Sequence, residues 1–127
     1  ELVSCIANHL EDPKGHVARL EQIFELLGKK AQAKKCEAME GLIAEGQEVV
    51  EDTEEDSAVR DAGIIIASQK IEHYEISAYG SLRTLANVMG HTQAVKLLDQ
   101  TLQEEKNADS KLTEVAESTV NEEAAAE

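Results

Sequence analysis

Carboxylate and imidazole side chains interrupt the apolar faces of three predicted helices. Followed at about 100° per residue, each face is otherwise built mainly from aliphatic residues. They include Ile65 and Ile66 on the third helix and Leu98, Leu102 and Leu112, beside Thr101, on the fourth. A carboxylate buried alone among such residues would cost several kcal/mol or take up a proton. Carboxylate oxygens together with imidazole suit iron or manganese. The pattern therefore favours a buried pair of metal ions, and the residues in or beside these faces are His9, Asp12, His16, Glu72, Glu75, Glu105 and Asp109.

Each of these residues also has an ordinary structural explanation. A histidine on an apolar face is more often a hydrogen-bonded core residue than a metal ligand. A single glutamate there usually lies at the solvent margin or pairs with a base, for which Lys70 and Arg83 are available. The occurrence of acids on separate helices favours the metal, but residue spacing alone leaves both interpretations open.

Four other polar or aromatic residues are expected to have no part in a site. His73 and His91 are predicted to be surface residues, and Tyr79 to be a core residue. Glu104 points about 100° away from Glu105 on the same helix, so it is expected to be a solvated charge.

The helices that must position these residues are delimited by capping and turn signals. Gly28 and Gly90 are predicted to end helices, and Asp56 or Ser57 to begin one. No strand pattern occurs, so the sequence predicts an all-α, up-and-down bundle with a long connection before its third helix. The domain is expected to cover residues 1–118, followed by an acidic Ala/Glu tail, 119–127, that frays; the four helices are predicted at 1–27, 35–52, 57–89 and 93–118.

Pro13 interrupts the first predicted helix. Inside a helix it removes one backbone hydrogen bond and clashes with the preceding turn, at a cost of roughly 3 kcal/mol. Either the helix is kinked there, or Asp12 caps a new helix with Pro13 in its first position. The kink is favoured because the apolar face continues in phase across the proline.

Composition and charge narrow the classes of function. The chain has 127 residues and a formal net charge of −14, which argues against nucleic acid and against an anionic membrane surface. No apolar run approaches the length of a membrane span, and no signal peptide is recognised. Cys5 and Cys36 follow no CxxC spacing, so free thiols and a cytoplasmic location are expected.

Two segments of the chain are quite specific in sequence: Lys-Cys-Glu-Ala-Met-Glu-Gly-Leu at 35–42 and Glu-His-Tyr-Glu-Ile at 72–76. They resemble the YciE/YciF-like family of bacterial stress proteins, and the resemblance extends over essentially the whole chain, to about Asn121. It implies a ferritin-like four-helix bundle. The ligand set that it implies is His9, Asp12, Glu72, Glu75, Glu105 and Asp109, with His16 on the same face but outside the secure pattern.

Two departures from the family bear on that expectation. The family has a further helix before the one that opens this chain, and that helix is expected to bring another glutamate. Asp12-Pro13 also stands where the family usually has Glu-Thr, and a shorter acid on a kinked helix would reach a metal less well.

The resemblance leads to two functional hypotheses. The first is an oxidoreductase: a stress-associated protein with two iron ions, alternatively manganese, that acts as a ferroxidase or in peroxide-linked redox chemistry. The second is a non-catalytic helical interaction or structural protein whose metal site is vestigial or absent. Under either hypothesis the chain is expected to form a homodimer.

Overall fold

A computed structural model describes the backbone of residues 2–9 and 12–127 and the side chains of residues 2–7 and 13–127. Within these ranges the chain is all-α and contains no strand. One turn of π-helix, Ala116–Val120, joins the last two helices. The helices are α1 Leu2–His9, α2 Asp12–Leu26, α3 Glu37–Asp52, α4 Ala58–Val88, α5 Thr92–Val115 and α6 Asn121–Ala126.

Most predicted helix boundaries are confirmed. Gly28 and Gly90 lie two residues after the last residues of α2 and α4, and they adopt positive φ angles of 64° and 76°, which glycine tolerates without strain. Ser57 caps α4, because its Oγ accepts a hydrogen bond of 3.1 Å from the backbone N–H of Arg60. Thr92 is the first residue of α5.

Leu10 and Glu11 lie outside the described residues, so neither interpretation of Pro13 is tested there. Pro13 is the second residue of α2 as described.

The antiparallel pair α4 and α5 forms the centre of the bundle. Helices α3 and α6 pack on α4, whereas α1 and α2 pack on α5. Two apolar clusters lie towards opposite ends of the central pair, one around Ile65 and Leu112 and the other around Ala86 and Leu98. The residues between them along α4 and α5 include the buried acids, so the packing places the candidate site in the middle of the bundle.

The predicted face of α4 needs one correction. Ile65 is 1% exposed, but Ile66, also expected on the buried face, is 58% exposed. Consecutive residues of a helix point about 100° apart, and the buried positions of α4 follow Ile65, Glu72 and Ala86. The buried face of α4 is therefore centred on these three residues, and Ile66 lies outside it.

The C-terminal segment, predicted as a fraying tail, is described in the structure as largely helical. The segment continues as the π turn and α6, and Val120 is 6% exposed within the apolar cluster that contains Ile65. Val120 follows Leu112 and Ala116 at a spacing of four residues, so it continues the buried face of α5. The Glu127 carboxylate accepts hydrogen bonds from the first N–H groups of α4, at 2.9 Å from Ala58 and 3.2 Å from Val59.

Two glycines of α4 provide a matched test of the α3–α4 packing. A Cβ at Gly63 would lie 2.5 Å from Val49 Cγ1, whereas a Cβ at Gly80 would meet no atom within 4 Å. We expect Gly80→Ala to stabilise the protein by about 0.5–1 kcal/mol through helix propensity. Gly63→Ala should lower the melting temperature, because Val49 is stiff at χ1 and the helices must separate.

Thermal unfolding measures both effects. Val49→Ala in the Gly63→Ala background removes the crowding methyl group and should recover part of the loss. Equal stabilisation by the two glycine substitutions would contradict the close approach of α3 to α4.

Candidate metal centre

Three carboxylates from two helices converge in the middle of the bundle. Glu72 and Glu75 are three residues apart on α4 and therefore share a face, and Glu105 projects from α5. One oxygen of each lies within 4.8 Å of the others. Glu105 is 0% exposed and Glu72 is 2% exposed. We call these three residues the acidic cluster.

The position of Glu105 follows from the pattern of α5. Thr101 and Leu102 before it and Ala108 and Leu112 after it are all buried. These spacings of three and four residues define one helical face, and Glu105 occupies its centre. The chain therefore cannot turn Glu105 towards solvent without exposing its apolar neighbours.

The surroundings of Glu105 disfavour its ionised form. Burial, and then the carboxyl groups of Glu72 and Glu75, raise the pKa of Glu105 to about 10. Neither of its two buried oxygens receives a hydrogen bond from the described N–H and O–H donors. A buried carboxyl group without such donors requires a proton or a cation for stability.

His16 lies beside the acidic cluster. The ring is 6% exposed, and its Nδ1 lies 2.8 Å from Glu105 Oε1 without the alignment of a hydrogen bond. Its Nε2 is hydrogen-bonded to Glu104 Oε2 at 2.9 Å. The ring of Tyr79 packs edge-on against it, with 6.2 Å between the ring centroids. The sequence placed His16 on the correct face, and the structure adds its contact with Glu105.

Glu104 is not the solvated charge that the sequence predicted. Arg19 donates two hydrogen bonds to it, of 2.6 Å to Oε2 and 2.8 Å to Oε1, and a third of 3.0 Å to Thr101 Oγ1. The Arg19 hydrogen bond, followed by the one from His16, lowers the pKa of Glu104. Since α5 packs against both α4 and α2, its contact face is wider than one 100° stripe and includes the partly buried Glu104.

Asp109 belongs to a neighbouring group. Its Oδ1 lies 2.9 Å from Nε2 of His73, and it is not one of the three mutually close carboxylates. The His73 side chain is 66% exposed, as predicted for a surface residue, although the pairing was not foreseen. Gln69 donates hydrogen bonds to the Asp109 carbonyl and to Thr113 Oγ1, which ties α4 to α5 one turn from the acidic cluster.

The side chains of His9 and Asp12 lie outside the described residues. Their assignment as metal ligands therefore stays a prediction. Tyr79, predicted as a core residue, is partly buried and packs with the apolar cluster around Leu98. Burial, and then the charges of Glu75 and Glu105, raise the pKa of Tyr79 to about 12, so it remains a phenol at physiological pH.

The helices and the buried acids together define an all-helical bundle with carboxylates at its centre. The family model described as "Domain of unknown function (DUF892)" matches residues 1–125, and the chain belongs to this family. The chain is 50% identical over 117 residues to Protein YciF of Escherichia coli K12, covering 91% of this chain and 70% of that protein. The predicted resemblance to YciF-like stress proteins is therefore confirmed.

Two solved structures have the same fold. The crystal structure of the E. coli stress protein YciF matches with a TM-score of 0.86 and 48% identity, over 93% of this chain and 74% of that one. YcfI of Rhodopseudomonas palustris, proposed to be a structural protein, matches with a TM-score of 0.84 and 38% identity, over 88% and 71%. Among the described residues no helix has the length and apolar character needed to cross a membrane.

Proposed function

We propose that the acidic cluster binds two iron ions, alternatively manganese, and supports ferroxidase or peroxide-linked redox chemistry in a stress response. The proposal rests on the surroundings of Glu105. This residue is fully buried, faces two further carboxylates and receives no hydrogen bond from the described donors. A shared cation satisfies all three acids at once.

The available donors fit such a metal. Carboxylate oxygens with a nearby imidazole suit iron and manganese, and carboxylates can bridge two ions about 3.5–4 Å apart. Glu105, together with Glu72 and Glu75, would hold the ions. His9, Asp12 and Asp109 are proposed as further ligands on the basis of the sequence.

Bound iron would supply two one-electron steps, which reduce one hydrogen peroxide to two water molecules with uptake of two protons as two Fe²⁺ become Fe³⁺. The protein would orient the carboxylates and shield them from bulk water between two apolar clusters. Tyr79 keeps its proton in this environment and can act as a hydrogen-bond donor.

Metal analysis of protein purified without chelator tests the proposal. We expect about two equivalents of iron or manganese per chain. Glu72→Ala/Glu105→Ala should lose both ions together because each of these acids is central to the cluster. Glu114→Ala/Glu117→Ala removes the same charge from two exposed positions and should keep the metal. A metal-free parent that also binds no added Fe²⁺ or Mn²⁺ would refute the proposal.

A structural or interaction role is the second candidate. Helix α4 and its C-cap expose an apolar strip, with Leu85 58%, Val88 79% and Met89 67% exposed. Such a strip can pack against a partner or a second copy of the chain. The relation to YcfI points in the same direction. A metal-free protein of unchanged stability would favour this function, and the expected homodimer and cytoplasmic location remain predictions.

A further inference from the structure

We propose that His16 is a nitrogen ligand of this centre, bound through Nδ1, and that Glu104 and Arg19 hold its ring in the required orientation. The inference rests on the proposed metal function, because it adds a ligand to the acidic cluster. It concerns a residue that the family resemblance left outside the ligand set.

The first step of the argument is the contact at Nε2. Both oxygens of Glu104 accept hydrogen bonds from the Arg19 guanidinium, so Glu104 is an acceptor towards its other neighbours as well. Nε2 of His16, 2.9 Å from Glu104 Oε2, therefore carries the proton and donates it. In a neutral ring the lone pair then lies on Nδ1.

The second step is the environment of Nδ1. This atom lies 2.8 Å from Glu105 Oε1, but the two atoms are not aligned for a hydrogen bond. Two ligand atoms that are each about 2.1 Å from one ion are separated by about 3 Å when they meet at a right angle. The observed separation therefore suits two ligands of a common ion, and Glu105 would connect that ion to Glu72 and Glu75.

The third step is the rigidity of the ring. Metal-bound histidines usually donate their other N–H to a carboxylate or carbonyl, which fixes the tautomer and the ring orientation. Here Glu104 accepts that hydrogen bond and is itself fixed by the two-pronged contact with Arg19. Arg19 also binds Thr101 Oγ1 at 3.0 Å, which attaches the arrangement to α5.

Nitrogen NMR of the intact chain tests the proposal directly. Protein with ¹⁵N-labelled histidine is titrated with Zn²⁺, a diamagnetic ion that accepts carboxylate and imidazole ligands. Two-bond ¹H–¹⁵N correlation spectra distinguish a metal-bound Nδ1 from a free lone pair. We expect the ring of His16 to show a metal-bound Nδ1 and a protonated Nε2. The signal should be absent in His16→Gln and retained in His73→Gln.

Metal affinity provides a second measurement that does not depend on the His16 variant folding. Glu104→Gln removes the charge that orients the ring and should weaken Zn²⁺ binding by roughly 10–100-fold. Glu114→Gln, an exposed substitution on the same helix, should leave the affinity unchanged. In Glu104→Gln the metal-bound Nδ1 signal should broaden or diminish at equal Zn²⁺ concentration.

The outcomes separate the two proposals. Zn²⁺ binding to the acidic cluster with an unperturbed His16 Nδ1 would overturn this inference and leave the proposed function standing. Failure of the parent protein to bind Zn²⁺, Fe²⁺ and Mn²⁺ would overturn both.

Discussion

Glu105→Gln is expected to stabilise the metal-free protein and to abolish stabilisation by metal. In the absence of metal, Glu105 must either remain protonated at a pH well above 4.5, its ordinary pKa, or carry a negative charge beside Glu72 and Glu75. Glutamine has almost the same shape, carries no charge, and can donate its amide N–H groups to the two remaining acids. The substitution should therefore raise the free energy of unfolding of the metal-free protein by roughly 1–2 kcal/mol, or its Tm by about 4–8 °C, at pH 7.5.

Added metal should stabilise the parent protein much more than the Glu105→Gln variant. Added metal at about 100 times its Kd stabilises the folded parent by about 2.7 kcal/mol, because it binds the folded state alone. An amide carries no charge and cannot replace a carboxylate as a ligand of two ions, so the Glu105→Gln variant should gain little stability from added metal.

Thermal unfolding with chelator and with Mn²⁺ gives both values for each protein. Glu114→Gln is the matched control, because the same substitution on the exposed side of α5 should change neither the stability with chelator nor the stability with Mn²⁺. A Glu105→Gln protein that is less stable without metal, yet still stabilised by Mn²⁺, would contradict the role assigned to this carboxyl group.

The pH dependence of stability should change sign when metal is bound. The pKa of Glu105 is raised from 4.5 to about 10 in the folded protein, so between these values the folded state holds a proton that the unfolded state releases. This stabilising contribution is complete below pH 4.5 and is lost as the pH rises towards 10. The metal-free protein should therefore become less stable from about pH 6 to pH 8.5, with a slope of at most about 1.4 kcal/mol per pH unit.

Bound metal reverses this dependence of stability on pH. Its ligands must be deprotonated, so metal binding strengthens as the pH rises. At a fixed, limiting Mn²⁺ concentration, Tm should increase over the same pH range. The lowered pKa of Glu104 contributes only at more acidic pH, below its usual range, and does not disturb the measurement. Parallel pH profiles with and without Mn²⁺, or an unchanged metal-free profile in Glu105→Gln, would argue against this account.

The central part of α5 was predictable from sequence because one periodic face is buried along the whole helix. Leu98, Thr101, Leu102, Glu105 and Leu112 were all placed on that face, and all are buried. The convergence of Glu72 and Glu75 with Glu105 followed from the same reasoning, since opposed acids on packed helices must meet.

The remaining features depended on tertiary packing. Glu104 was misplaced because a single stripe does not represent a helix that contacts two neighbours. Val120 was overlooked because the Ala/Glu composition of the tail obscured its phase with the buried face. The distance from His16 to Glu105 depends on how α2 approaches α5, which helical periodicity within α2 does not determine.

The polar layer between the two apolar clusters has a mechanical consequence. Each cluster holds α4 and α5 together by hydrophobic contact, but in the absence of a cation the acidic cluster between them depends on the proton that Glu105 holds. The two halves of the bundle can then open separately, as locally cooperative units do in other proteins. A bound ion would join them into one unit, so metal occupancy would govern how unfolding spreads along the helices.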